Sequence, residues 1–148
     1  MSEPIIQLAE LKLNSEAKSY LLETAKWAFF LSIVGFVGIA LLVIVALFAS
    51  TIFNSIQEMQ SQVYPFNIGK MITIIYLVMA AIYLFPVYYL MQFANKMKAA
   101  LANTDDVDLT ASFEMLKSHY KFIGVFTIII LSLYAMAFVV GMLGVFEI

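Results

Sequence analysis

Residues 27–53 read WAFFLSIVGFVGIALLVIVALFASTIF, and this stretch decides the fold. It contains no Asp, Glu, Lys or Arg. About 20 apolar residues in helical form cross the hydrocarbon core of a bilayer. One charged residue at the centre of such a helix costs roughly 2.5–3.5 kcal/mol on insertion scales. Two more uncharged runs follow, Met71 to Gln92 and Phe122 to Phe146, and each is long enough to span. Buried helices of a soluble protein are the alternative, but a chain of 148 residues is too short to surround three of them. The expectation is an all-α membrane protein: one membrane domain over 1–148, with spans at about 27–53, 71–92 and 122–146.

Composition agrees with that reading. Apolar residues make up 64% of the chain and charged residues 12%, against about 45–50% and about 25% in soluble domains. Cysteine is absent, which excludes disulfides, thiol chemistry and cysteine-ligated metals. All eight basic residues are lysine. A net charge of −2 and the lack of a basic patch argue against a nucleic-acid partner. The Ile-rich usage, with lysine as the sole basic residue type, resembles that of an AT-rich bacterial genome. The first run does not read as a cleaved signal peptide. The segment before it is long and carries Glu10, Glu16 and Glu23, the run exceeds a signal core in length, and no A-x-A site ends it.

Lysine placement sets the expected orientation. Lys12, Lys18 and Lys26 precede span one, and Lys96, Lys98, Lys117 and Lys121 lie between spans two and three. Only Lys70 lies between spans one and two. The N-terminus and the 93–121 hairpin are therefore expected in the cytoplasm, with the 54–70 loop and Ile148 outside. Boundary aromatics agree, with Trp27, Tyr88, Tyr89, Tyr120 and Phe122 at the inner face and Tyr64 and Phe66 at the outer.

The flanks of the spans are amphipathic. Ala17, Tyr20, Leu21, Thr24 and Ala25 recur at helical spacing before span one, with Asn14 or Ser15 as a cap. Phe93, Ala94, Met97 and Leu101 do so after span two, and Leu109, Phe113, Leu116 and Tyr120 before span three. No Pro or Gly separates these stretches from the spans. The spacing predicts three continuous helices over about 15–52, 69–102 and 109–146, each roughly 50–57 Å long at 1.5 Å per residue. They are expected to protrude from the membrane on the lysine side and to pack there on one another through their apolar stripes.

Few residues could carry chemistry. Asp105, Asp106 and Asp108 share a turn, but the calcium-loop pattern needs a central Gly and a distal Glu. Their expected role is to favour the N-terminus of the third helix. His119 has no Cys, Asp or Glu at ligand spacing and reads as a surface histidine at the interface. Pro86 removes a backbone donor inside span two, an arrangement tolerated in membrane helices. Tyr83, Tyr88 and Tyr89 read as anchors. Gly35 and Gly38, Ala80 and Ala81, and Ala137, Gly141 and Gly144 are the packing candidates, with Ala137 and Gly141 forming a small-xxx-small pair. The spans contain no ionisable residue of the kind that marks ion or proton pathways. No nucleophile with a base, phosphate loop or carboxylate pair in a cleft is expected. The sequence reads as non-enzymatic, with no catalytic residue, cofactor or metal.

The stretch from Ile75 to Leu101, including Tyr83-Leu-Phe-Pro-Val-Tyr-Tyr-Leu-Met-Gln-Phe-Ala and Lys96-Met-Lys, resembles a family of small uncharacterised multi-span membrane proteins of Bacteroidetes-like bacteria. So do Leu109 to Gly124, with Lys121-Phe122-Ile-Gly, and the Thr24-Ala-Lys-Trp-Ala-Phe-Phe-Leu segment. The resemblance implies a membrane protein and brings no activity or site residue with it. The reading that follows is an inner-membrane helical bundle that self-associates or serves as a small subunit of a larger complex. Its partners are then the lipid bilayer and either further copies of itself or other membrane proteins. The alternative is an oligomeric channel or transport component, because three helices alone are expected to close on a packed core without a pore.

Overall fold

A computed structural model describes residues 13–59 and 67–145, excepting the side chains of 57–59 and 145. Lys12, Tyr64, Phe66, Phe146 and Ile148 lie outside the described residues, as does Glu10. The described chain forms three helices, α1 (Ser15–Met59), α2 (Ile68–Asn103) and α3 (Asp106–Val145). All three are long and apolar enough to cross a membrane. At 1.5 Å per residue they measure roughly 54–68 Å, about twice the hydrocarbon thickness.

The helix ends follow from local chemistry. Asn14 caps α1, its Oδ1 accepting from the Ala17 amide at 2.7 Å. α1 runs past the expected end near residue 52, because nothing between Phe53 and Met59 breaks a helix. Asn67 caps α2 by accepting from the Lys70 amide at 2.9 Å. α2 ends at Thr104, which is left-handed at φ 55° and ψ 47°. A β-branched residue is strained in that region. The Asp105 amide bonds to the Ala100 carbonyl at 3.1 Å, closing the turn. Asp105 then caps α3, its carboxylate accepting from the Val107 amide at 2.8 Å. The third helix therefore starts three residues earlier than the apolar spacing alone indicated.

α2 lies between its neighbours. α1 packs along α2, and α3 packs on the other side, while among the described residues α1 and α3 do not approach each other closely. The α1 side of the first seam is a heptad of small and aliphatic residues: Ala25, Ala28, Ser32, Gly35, Ile39, Leu42, Ala46 and Ala49. All eight are buried or half-buried. Strict three- and four-residue alternation is the geometry of a left-handed helix pair. Small side chains let the two backbones come close, so dispersion contacts and polar contacts to backbone hold the pair together in lipid. Thr73 illustrates this. Its hydroxyl lies 2.9 Å from the Ala46 carbonyl of α1 and 3.0 Å from the Gly69 carbonyl of its own helix.

Among the described residues, a common core forms only at the lysine-rich end. Ala25, Ala28, Phe93, Ala94 and Met97 are its buried centre, and Leu21, Leu109, Met115 and Leu116 pack against it. Lys98 adds a cation–π contact across α1 and α2, its ammonium 4.1 Å from the centre of the Phe29 ring. The expectation that the amphipathic extensions pack on each other is met, but on a rotated face in α3. Ser112 is fully buried, whereas Phe113 is 44% and Tyr120 66% exposed. The Ser112 hydroxyl lies 4.0 Å from the sulfur of the buried Met97 on α2, so α3 turns a small residue towards a bulky one. The closed three-helix core expected from the sequence is likewise corrected. Beyond Ile130 every described side chain of α3 is exposed.

Candidate functional site

Two features stand apart from simple packing: the seam between α2 and α3, and the open outer half of α3. The seam is built around Pro86. Proline has no amide hydrogen to donate to the Ile82 carbonyl, yet α2 continues through it. Pro86 is buried, and its own carbonyl oxygen lies 2.7 Å from Nδ1 of His119 on α3. A carbonyl only accepts, so Nδ1 carries the hydrogen in this contact. The His119 ring is also edge-on to Tyr120, with centroids 5.5 Å apart. His119 is half-buried and joins two helices, which corrects its reading as a surface histidine. Sequence spacing offered no signal for this bond, because its acceptor is a backbone atom 33 residues away.

Replacing His119 with Leu should cost about 0.5–1.5 kcal/mol, the net worth of one hydrogen bond. Reversible unfolding in detergent would measure it. A loss outside that range in either direction would mean that the contact is not what joins the helices there.

Aromatic rings continue the seam into the span. Phe85 stacks on Phe122 with centroids 6.0 Å apart, and Tyr83 meets Phe126 edge-on at 6.3 Å. Beside them an open groove of about 390 Å³ runs between the helices. Tyr89, Ser118 and Lys121 line one end of it, and Phe122, Val125, Phe126 and Ile129 the other. A second groove of about 660 Å³ follows one face of α1, from Ser19 to Phe30, and carries both Glu23 and Lys26.

The polar residues of the spans are largely occupied with backbone. Ser32 donates to the Phe29 carbonyl at 2.7 Å, Ser50 to Leu47 at 3.0 Å, and Ser132 to Ile128 at 2.8 Å. Such back-bonding satisfies a hydroxyl where no water is present. Asp106 and Asp108 occupy the first turn of α3, where negative charge favours the helix dipole. Among the described residues, no three His, Cys, Asp or Glu side chains gather at metal-binding distance.

The predicted small residues separate into two groups. Gly35 and Ala80 are in the α1–α2 seam: a Cβ on Gly35 would meet a Val87 methyl at 2.7 Å, and Ala80 is 4% exposed. Gly38, Gly141 and Gly144 have nothing within 4 Å of where a Cβ would sit. Ala81 and Ala137 are exposed. The structure thus brings Gly35 and Ala80 to an internal contact and leaves Ala137 and Gly141 facing outward. Sequence reading found Ala25 but missed Ala28, Ala46 and Ala49 of the α1 heptad, and Ser112, although the strict heptad spacing was a usable signal. No protein-family model, curated protein or solved structure matches this chain.

Proposed function

We propose that the protein is a non-enzymatic helical-bundle component of a bacterial inner membrane that associates with further copies of itself through the outer half of α3. The observation that supports this is the exposure of every described α3 side chain beyond Ile130, in a helix whose Ala137 and Gly141 offer a small-residue pair. A lone span needs no such pair to be stable in lipid, whereas two helices that approach closely do. Assembly as a small subunit of a larger complex uses the same surface with a different partner helix. The inner-membrane location rests on the lysine-only usage and on the resemblance to small bacterial membrane proteins.

Gly141→Leu should shift the protein purified in mild detergent from oligomer to monomer, read by light scattering. An unchanged oligomer would remove this face from the interface. A wild-type monomer would favour the subunit reading over self-association.

The proposed orientation has the lysine-rich end in the cytoplasm, from the distribution of Lys18, Lys26, Lys96, Lys98, Lys117 and Lys121 against Lys70. A reporter active only outside the cytoplasm should be silent when inserted beside Thr104 and active when fused after Ile148. The reverse pattern would overturn the orientation.

A further inference from the structure

We propose that the groove between α2 and α3 is a binding site for one anionic phospholipid, with the phosphate at Lys121 and an acyl chain along Val125 and Ile129. This does not depend on self-association through α3. The groove has a sharp polarity gradient along its length. Its polar end combines one ammonium, from Lys121, with the hydroxyls of Tyr89 and Ser118. Its other end is wholly apolar. From Ser118 to Ile129 the lining residues of α3 follow one stripe of the helix, spanning roughly 16 Å at 1.5 Å per residue.

That gradient coincides with the membrane boundary. Span two ends at Gln92 and span three begins at Phe122 in the sequence, so Tyr89 and Lys121 stand at headgroup level on two different helices. The apolar end then lies in the hydrocarbon layer. A free anion would use only the polar end, and a neutral hydrocarbon only the apolar end. A phospholipid uses both. No carboxylate lines this groove, whereas in the groove on α1 the Glu23 carboxylate offsets the charge of Lys26 and leaves no net attraction for a phosphate. The Ser118 hydroxyl is already committed to the Glu114 carbonyl at 2.9 Å. The charge-bearing contact therefore falls to Lys121, with the Tyr89 hydroxyl as the second donor. Basic pockets between membrane helices at the headgroup level bind anionic lipid heads in this way.

The test uses full-length protein in mild detergent, offered phosphatidylglycerol or phosphatidylcholine of equal chain length, with retained lipid counted by native mass spectrometry. Wild type should retain phosphatidylglycerol in preference. Lys121→Gln should reduce that retention about fivefold, equivalent to the roughly 1 kcal/mol contributed by one lysine near an anionic surface. Lys121→Arg should keep it. Val125→Trp, which fills the apolar wall, should reduce retention of both lipids. Lys26→Gln removes an ammonium from the same end of the molecule and should change nothing. Equal retention of the two lipids by wild type would overturn the proposal. So would an effect of Lys26→Gln as large as that of Lys121→Gln, which would show surface charge acting without a site. Displacement of the lipid by inorganic phosphate alone would assign the groove to free anions instead.

Discussion

Phe93→Ala should destabilise the protein by about 3–5 kcal/mol, the cost of removing a large buried aromatic side chain. Phe93 is 1% exposed and lies at the centre of the one core shared by all three helices. Its buried companions in that core are Ala25, Ala28, Ala94 and Met97. Alanines on rigid helices cannot move into the space a phenyl ring leaves, so the cavity would persist and the loss should fall in the upper part of that range. The position also matters. With the second span ending at Gln92 as the sequence reading expects, burial of Phe93 removes apolar surface from water and draws on the hydrophobic effect. Equilibrium denaturation in mild detergent would give the difference. A loss below about 1 kcal/mol would mean that the protruding ends do not form a core.

Gly35→Leu should cost about 3 kcal/mol, while Gly38→Leu, one turn away on the same helix, should cost little. A Cβ at Gly35 would stand 2.7 Å from one Val87 methyl and 3.0 Å from the other. Val87 is β-branched on a helix and held to one rotamer, so its methyls cannot swing aside. The helices would have to separate, at the upper end of the usual 1–3 kcal/mol for overpacking. Separation would also pull the Thr73 hydroxyl from the Ala46 carbonyl further along the same seam. Gly38 faces open space, where a leucine meets lipid. The pair can be read in one denaturation series. Equal effects at the two glycines would place the α1–α2 seam elsewhere.

The candidate site was legible in parts. Pro86, His119, Tyr89, Lys121 and Phe122 all stand out in the sequence as a proline within a span, a lone histidine and boundary residues. Their juxtaposition does not, because it depends on how far α3 is rotated and slid against α2. The same rotation explains Phe113. Its apolar character and spacing from Leu109 and Leu116 suited a buried stripe, yet neighbouring Ser112 occupies the contact, its hydroxyl 4.0 Å from the Met97 sulfur. Leu109 and Leu116 flank either choice, so the pattern in the sequence was ambiguous by one residue.

What the sequence by itself determined is the number of helices, their approximate extent and that each is apolar enough to cross a membrane. A bilayer responds to the sum of apolarity over about 20 residues and to charge at the ends, and both are properties of a segment alone. Caps and breakers are equally local, as Asn14 and the Asn103-Thr104-Asp105 turn illustrate. The tertiary structure decided which faces meet. Within 27–53 and 122–146 almost every face is apolar, so no contrast between polar and apolar residues marks the seam. The choice passes instead to shape: small residues of α1 against α2, aromatic rings and a histidine of α3 against α2, and, among the described residues, no internal partner for Leu131 to Gly144. Shape complementarity is a property of two surfaces together, and only the packed structure contains both.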